Sequence, residues 1–513
     1  MATLLGLLTS PRLIPGLAAL LVLYLVVGAV VNYRKLRQFK GPPLAAVSRI
    51  YIFWQSVRHR FHISEYEALQ KYGSPCRFGP NLVITDDADI IRHISAPRSA
   101  WSRADWYDAM RHDPRQDSVF STKDEKHHAD LRAKMIGAYI GRDIDTIEPE
   151  TDKIVVDFVN LIKTTYSGKA MDISITSQFF TLDVLSAVAF GQPFGYVKAN
   201  RDIYNYTQAS TAFLSALELA SNHAFVRWVF YSPLFRWLAA PKDSDEFGIG
   251  PILRIAHDAV AERFAGDQSS SGGGGAKASV AGTTRRDMLG HMVGKGLNQL
   301  ECEVEAYVQI IGGAESTTST IRTTMYLLLS NPGVYAKLRA EIDAAVDRGD
   351  ISYPVVTYAQ ARQLPYLQAC IWEGLRMYPP LFGLKSKLAP PGGDTIKGIY
   401  FPEGTEVGLC DAAMCRRKDI FGDDADVFRP DRWVDADPAT RALYDRTVHT
   451  IFGAGRYECL GKHIAMVELH KVFVELIRNF DWAISNPLKG IVHYGHGVHV
   501  QKDMFLTAWP RQH

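Results

Sequence analysis

The segment FGAGRYECLG, from Phe452 to Gly461, constrains the fold more than any other part of the sequence. It surrounds one cysteine with glycines, which let a backbone turn tightly and approach a flat ligand closely. An apolar helical pattern follows at once, so the positive end of that helix would stabilise a thiolate at Cys459. Such a thiolate is a suitable axial ligand for haem iron. The segment therefore predicts a loop that presents one sulfur to a large cofactor.

Composition narrows the class of protein. The chain has 513 residues and a hydrophobic fraction of 47%, enough for one large domain or a few smaller ones. Lys and Arg (57) nearly balance Asp and Glu (55), which argues against a nucleic-acid surface and favours a neutral substrate. No cysteine pair has CxxC spacing, so a zinc site is not expected. We predict that the cysteines other than Cys459 are reduced thiols in the core: Cys76, Cys302, Cys370, Cys410 and Cys415.

An apolar run near the N-terminus, LIPGLAALLVLYLVVGAVV, contains no charged residue from Leu13 to Val31. Its length is about what a bilayer requires, and it is longer than the apolar part of most cleaved signal peptides. Basic residues follow it: Arg34, Lys35, Arg37 and Lys40. The positive-inside rule places this flank in the cytosol. We predict a membrane anchor over residues 1–40, with a transmembrane helix at about 13–31 and a basic stop-transfer segment; a buried core helix is the alternative.

Residues 41–513 are predicted to form one catalytic domain that is mainly α-helical with small β-sheets. Helical apolar spacing occurs in Asp152–Tyr166, in Val334–Gly349 and from about Leu300 to Ser330. Strand candidates are short: Asn81–Asp86, Thr395–Leu409 and Val498–Val500. The stretch of residues 266–284 is rich in glycine and serine, which predicts a flexible insertion between two helices; a domain boundary is the alternative.

Two other motifs have unusual residues for a helix. In IWEGLRMYPP, Glu373 and Arg376 are three residues apart and share one helix face; alone, such a pair is most often solvated. In QIIGGAESTTST, Gly312 and Gly313 lie inside a long apolar helix, where each should cost roughly 1 kcal/mol. The glycine pair therefore needs a reason, either close packing or a ligand beside the backbone.

Together the motifs resemble those of the cytochrome P450 family, the haem-thiolate monooxygenases. The family's cysteine loop reads Phe-x-x-Gly-x-Arg-x-Cys-x-Gly, and the matching residues are Phe452, Gly455, Cys459 and Gly461. Tyr457 occupies the arginine position, and Arg456 precedes it. The Glu-x-x-Arg pair, the FRPDRW segment and the glycine groove follow the family's order and spacing, with Ser316 at the position of the groove's first threonine. The resemblance covers nearly the whole chain after the anchor.

The resemblance implies that Cys459 binds the iron of haem b. The other residues that it implies for cofactor binding are Phe452, Gly453, Arg456, Tyr457, Gly461, His128, Arg132, Lys387, Gly312 and Gly313. Either Arg456 or Tyr457 would face a haem propionate. His128 occupies a position that is usually tryptophan, and Lys387 one that is usually arginine, so Lys387 offers a point charge without a bidentate fork. Glu373, Arg376 and Arg432 would form a buried charge network that fixes the cysteine loop.

The implied activity is a monooxygenase that oxidises a small, largely apolar molecule. Glu315, Ser316 and Thr317 would be the catalytic residues, with Glu315 and Ser316 helping to deliver protons to dioxygen. Electrons would come from NADPH through a membrane-bound NADPH–cytochrome P450 reductase, with the anchor in the endoplasmic reticulum membrane and the domain in the cytosol. Alternatives are a haem-thiolate desaturase, ring-coupling enzyme or isomerase, or a non-enzymatic, membrane-anchored haem sensor or carrier. Retention of Glu315 and Ser316 argues against an enzyme that works without oxygen.

The substrate is weakly encoded. Family analogy implies a pocket lined by Trp101–Phe120, by the region around Phe213 to Trp237, by Ile310–Ala314 and by Leu381–Lys385. The segments IRTTMYLLLSNPGVYAKLRAEID and CLGKHIAMVELHKVF are similar to the pisatin-demethylase-like enzymes of filamentous fungi. That similarity implies a step in fungal secondary metabolism, with a polyketide, terpenoid or alkaloid as substrate.

Overall fold

The computed structural model describes residues 13–111, 113, 115–239, 242, 244–246, 250–268 and 287–512. Helices dominate this part of the chain, as predicted. The α-helices are α1 (Leu13–Lys35), α2 (Pro43–Val47), α3 (Ile50–Val57), α4 (Phe61–Tyr72), α5 (Ala88–Ile94), α6 (Glu125–Tyr139), α7 (Ile147–Leu161), α8 (Ile173–Phe190), α9 (Tyr196–Ala199), α10 (Tyr206–Asn222), α11 (Ala224–Phe230), α12 (Pro233–Ala239), α13 (Gly250–Gln268), α14 (Met288–Gly294), α15 (Gln299–Ser330), α16 (Pro332–Asp347), α17 (Tyr358–Ala361), α18 (Pro365–Met377), α19 (Asp411–Met414), α20 (Lys418–Phe421), α21 (Asp431–Asp435), α22 (Pro438–Val448) and α23 (Lys462–Asn479).

The strands are short and form small sheets, also as predicted. They are β1 (Cys76–Gly79), β2 (Leu82–Thr85), β3 (Ser102–Arg103), β4 (Ala170–Asp172), β5 (Lys387–Leu388), β6 (Asp394–Ile396), β7 (Ile399–Phe401), β8 (Glu406–Leu409), β9 (Phe480–Ile484), β10 (Val492–Gly495), β11 (His499–Lys502) and β12 (Phe505–Pro510). The largest sheet has the order β1-β2-β8-β5-β3, in which β2 and β8 are parallel. The other sheets are β4-β12-β9 and the hairpins β6-β7 and β10-β11.

Most sequence-predicted elements are present. The candidate Asn81–Asp86 contains β2, and Val498–Val500 overlaps β11. The prediction of one strand over Thr395–Leu409 is wrong, because the segment is divided into β6, β7 and β8. Lys397 and Gly398 both have positive φ, 50° and 78°, and two such residues close a tight hairpin between β6 and β7.

The helix predictions agree closely with the structure. α15 extends over Gln299–Ser330 and begins with a capping box between Asn298 and Glu301. α7 ends at Leu161 and continues as a π-helical turn, Ile162–Tyr166. Of the predicted insertion over residues 266–284, α13 includes the first part and ends at Gln268; the part from residue 269 onward lies outside the described residues.

The core is centred on α8 and α15, which pack against each other, while α7 and α23 complete the surrounding layer. In the described part of the chain, α8 is the helix that is long and apolar enough to cross a membrane, but 94% of it is buried in the protein. It is therefore a core helix.

The predicted transmembrane segment coincides with α1, whose side chains at Leu17, Leu20 and Leu23 are exposed.

Candidate haem-binding site

The loop before α23 is built to place one cysteine. Two 3-10 turns, His449–Phe452 and Gly455–Tyr457, precede it, and the Cys459 N–H donates to the Phe452 carbonyl at 2.6 Å. Gly453 has φ of 81°, and a Cβ on it would lie 2.6 Å from the Tyr457 carbonyl oxygen. The loop therefore requires glycine at this position, as the sequence pattern indicated.

Cys459 differs from the other cysteines, all of which lie in described parts of the chain. The other five are buried, as predicted, whereas the Cys459 side chain is exposed although protein surrounds it. Burial raises the pKa of the Cys459 thiol, and the N–H groups of Gly461 and Lys462 together with the charge of Arg132 act in the opposite direction. Since α23 begins at Lys462, its amino end faces the sulfur. The backbone N–H groups and Arg132 therefore favour the thiolate form of Cys459, while burial opposes it.

Positive charge collects around the Tyr457 ring. The centroid of that ring lies 4.0 Å from the Lys387 ammonium, 4.7 Å from the Arg103 guanidinium and 4.9 Å from that of Arg456. The carboxylate among these groups is Glu125, which accepts a hydrogen bond from the Tyr457 hydroxyl and lies 3.3 Å from Arg456 Nε. Three cations therefore share one carboxylate.

Arg103 and Lys387 are directly opposite each other in the pairing of β3 with β5. Like charges in this position destabilise a sheet unless an anion lies beside them. Both side chains are buried, and burial followed by the charge of Arg103 lowers the pKa of Lys387 well below its usual value. The carboxylates of a cofactor such as haem would supply the missing negative charge. By its sulfur and its charges, the site fits haem.

The structure brings the other predicted propionate contacts to the same place. The His128 ring lies 5.3 Å from the Tyr457 ring, and burial together with the neighbouring cations lowers its pKa to about 3, so it is neutral. Arg132 donates to the Glu458 carbonyl at 2.6 Å, next to the cysteine. Arg456 donates to the carbonyls of Trp101 and Ser99. Both Arg456 and Tyr457 therefore lie together with Arg103 and Lys387, at the place predicted for the propionates.

Glu373, Arg376 and Arg432 meet as the family pattern implied, with side chains that are fully buried. Arg376 holds the Glu373 carboxylate through two bonds of 2.8 Å, and Arg432 Nε approaches it at 2.9 Å. Although burial raises the pKa of Glu373, the bonds and charges of the two arginines lower it below its usual value. Arg376 also donates to the Cys415 and Ala425 carbonyls, which ties α18 to the segment leading to the cysteine loop.

The glycine pair of α15 has two different surroundings. A Cβ on Gly313 would lie 3.0 Å from Leu185 of α8, so this glycine allows close packing, whereas a Cβ on Gly312 would meet nothing within 4 Å. The Ser316 hydroxyl donates to the Gly312 carbonyl at 3.0 Å. Gly312 and Ser316 therefore lie beside open space on one turn of α15, and Thr317 is buried.

Glu315 points to a different set of partners. Its carboxylate accepts hydrogen bonds from Ser210 Oγ at 2.9 Å and from the Gln178 amide, and it lies 4.0 Å from Arg322. Burial raises the pKa of Glu315, while Arg322 opposes that change. The acid and the alcohol predicted to act together are adjacent in sequence but have separate hydrogen-bond partners here.

Sequence reasoning missed several of these groups. Arg103 and Glu125 were not singled out, because one arginine in a two-residue strand and one glutamate at a helix start match no motif. Gln178 and Ser210 come from α8 and α10 and meet Glu315 through tertiary packing alone. The signal available for Arg103 was its place inside a segment predicted to line the pocket.

Three of the four segments predicted to line a pocket are in contact: those that contain Trp106, Leu214 and Leu381. Leu214, Leu381 and Val498 belong to one small apolar cluster. Gly383 approaches Trp106 so closely that a Cβ on it would lie 2.6 Å from the indole.

Fold and site define a mainly helical protein with one cysteine placed to bind a dicarboxylate cofactor of the haem type. The sequence model of the family Cytochrome P450 matches residues 42–493. The chain therefore belongs to the cytochrome P450 family.

Similar proteins agree with this assignment. Cytochrome P450 monooxygenase ABA1 of Pyricularia oryzae is 34% identical over 508 residues, covering 97% of this chain and 96% of the relative. Cytochrome P450 monooxygenase aba1 of Botryotinia fuckeliana is 34% identical and covers 92% of both chains, and pkfB of Emericella nidulans is 30% identical. The crystal structure of cytochrome P450DA heme domain has a TM-score of 0.67, covering 88% of this chain and 93% of that one at 18% identity, which supports the fold.

Proposed function

We propose that this chain holds haem b through Cys459 and oxidises a small, largely apolar molecule with dioxygen and electrons from NADPH. The observation that carries the proposal is the combination of an exposed cysteine with a cluster of three cations that contains one carboxylate, Glu125. When bound, haem on a thiolate supplies the activation of dioxygen. The residues of the chain bind it, exclude water and supply protons.

Proton handling is assigned to Glu315 and Ser316. Burial raises the pKa of Glu315, which favours the protonated carboxyl that can donate a proton. Ser316 lies beside the open side of α15 and can pass a proton onward after a rotation of its hydroxyl. Ser210 and Gln178 hold the Glu315 carboxylate in place. Thr317 follows on the same helix as a further hydroxyl.

The substrate class is proposed from the relatives. These are fungal monooxygenases, and this chain is similar to them over almost its whole length. A polyketide, terpenoid or alkaloid intermediate of secondary metabolism fits the apolar and aromatic segments around Trp106, Leu214 and Leu381. A desaturase, ring-coupling enzyme or isomerase would use the same scaffold and is the second candidate.

We also propose that the protein is anchored in the endoplasmic reticulum membrane by α1 and receives electrons from a membrane-bound reductase. A second apolar surface supports this location. Large side chains are exposed on α11 and α12, including Phe225 (73%), Trp228 (68%) and Trp237 (70%). The adjoining α3 exposes Trp54, and its Phe53 contacts His223 at the start of α11. Together these helices form one face suited to a lipid interface.

The first test is binding of haem by purified protein. The wild type should have the absorption and CO-difference spectrum of a haem thiolate, and Cys459→Ser should lose it. Cys415→Ser is the matched control, because that cysteine is buried. Equal spectra for wild type and Cys459→Ser would overturn the proposal.

The second test names the reaction. Metabolites of the source organism are compared with and without this gene, and the wild type is grown under ¹⁸O₂. Labelled oxygen in the product that the deletion strain lacks supports monooxygenation. A missing product without label supports desaturation, coupling or isomerisation.

A further inference from the structure

Three histidines outside the haem site lie together between α4 and the hairpin β10-β11. His62 is in α4, His493 in β10 and His499 in β11. The hairpin register pairs His493 with Gln501 and Gly495 with His499, so His493 and His499 are diagonal neighbours on one face. The topology therefore brings three imidazoles, one from a helix and two from a hairpin, to one place.

The rings are in direct contact. One nitrogen from each residue lies within 4.8 Å of the other two, and His493 Nε2 is 2.6 Å from His499 Nδ1. The His62 ring stacks on that of His493, with centroids 5.7 Å apart, and meets the His499 ring edge-on at 5.1 Å. Gly495 makes this approach possible, since a Cβ there would lie 2.1 Å from His62 Nδ1.

The three rings are uncharged at neutral pH. Burial lowers the pKa of His62 to about 3, that of His493 to about 4 and that of His499 well below its usual value. The charged groups that act on them are Arg60 and Arg416, which also disfavour protonation. His62 Nδ1 is buried and has no hydrogen-bond partner in the described part of the protein. Neutral imidazole is the form that binds metal ions.

We propose that His62, His493 and His499 form a binding site for a divalent transition-metal ion such as Zn²⁺. Imidazole nitrogens suit zinc, copper and nickel, whereas calcium and magnesium prefer oxygen ligands. Two nitrogens bound to tetrahedral zinc at about 2.0–2.1 Å are roughly 3.3 Å apart. In the structure His493 Nε2 and His499 Nδ1 are 2.6 Å apart, and one nitrogen from each histidine lies within 4.8 Å of the other two, so small shifts reach that value. Rotation of the rings closes the site, the ion replaces the bond between His493 and His499, and a fourth position stays open.

The position of the site gives the ion a mechanical role. It joins the hairpin to α4, and the same hairpin supports the segment predicted to line the substrate pocket. The Phe382 N–H donates to the Gly497 carbonyl at 2.9 Å, and the His499 N–H donates to that of Pro380 at 3.0 Å. A bound ion would therefore stiffen this side of the pocket.

The test is a zinc titration of the haem-loaded full chain, purified without a polyhistidine tag and freed of metal by a chelator. We expect one zinc ion per chain, a raised unfolding temperature and zinc X-ray absorption typical of about three imidazole nitrogens. His62→Gln and His493→Gln should each weaken zinc binding at least about tenfold. The control is His496→Gln, since His496 faces Ser215 Oγ at 2.6 Å and lies outside the trio.

Absence of stoichiometric zinc binding by the wild type would overturn the proposal. So would a loss of zinc affinity in His496→Gln as large as that in His62→Gln and His493→Gln. Sulfur ligands in the X-ray absorption spectrum would place the ion at a cysteine instead. That spectrum needs only the wild type, so it decides the matter even if a variant fails to fold. The haem absorption spectrum, recorded in every sample, separates loss of the metal site from loss of the fold.

Discussion

The charge network of α18 gives a quantitative prediction for Glu373→Gln. The carboxylate accepts bonds from Arg376 Nε and Nη2, Arg432 Nε, Trp433 Nε1 and the Arg429 N–H. An amide oxygen accepts about two of these, so about three buried donors lose a partner at roughly 1 kcal/mol or more each. Removing one member of a buried ion pair costs about 3–5 kcal/mol. Both estimates predict a loss of at least about 3 kcal/mol in the free energy of unfolding.

The assay is urea unfolding followed by tryptophan fluorescence, with haem content measured in parallel. Glu67→Gln is the control, because its partner Arg60 is exposed and such a pair contributes about 0–1 kcal/mol. The pKa of Glu373 is lowered by folding, so wild-type stability from this group is present at neutral pH and is lost as pH falls below 4.5. The free energies of unfolding of the wild type and Glu373→Gln should therefore become similar in acid. A difference below about 1 kcal/mol at pH 7 would refute the reasoning.

Three further predictions concern other groups. Lys387→Met should stabilise the haem-free protein and weaken haem binding. Because burial and Arg103 lower the pKa of Lys387, the free energy of unfolding of the wild type should rise with pH below 10.5 more steeply than that of the variant. Denaturant titrations that give the same pH dependence for both proteins would contradict this. Glu315→Gln should keep its haem but turn over more slowly with a larger solvent deuterium isotope effect; unchanged turnover would remove Glu315 from proton delivery. After deletion of residues 1–40, part of the protein should remain on microsomes, and adding Trp228→Ser to that deletion should release more of it. Membrane fractionation measures both amounts. Full release by the deletion alone would exclude a second membrane contact.

The cysteine loop and the long helix were predictable because their constraints are local. Gly453 is required by the backbone conformation of its own loop, and the cap at Asn298 and the apolar spacing after it define α15. Likewise, Glu373 and Arg376 are on one helix turn, so their pairing depends only on that helix. The residues of these motifs therefore carried enough information without knowledge of the tertiary fold.

Contacts between distant segments were not predictable in the same way. Arg103 meets Lys387 through a strand pair of two residues each, which is too short to produce an alternating pattern. Gln178 and Ser210 reach Glu315 only because α8 and α10 pack beside α15. The one strand predicted over Thr395–Leu409 failed because the φ preferences of Lys397 and Gly398 favour a turn over continued apolar alternation.

The opposed cations of β3 and β5 have a consequence for the life of the protein in a cell. These strands lie at one end of the largest sheet, and a ligand that binds only the folded chain raises its stability by mass action. Without the added carboxylates of a cofactor, repulsion between Arg103 and Lys387 weakens this end of the sheet, so we expect the haem-free protein to be cleaved by proteases sooner than the haem-loaded protein. The lifetime of the protein in a cell would then depend on how much cofactor is available to occupy this site.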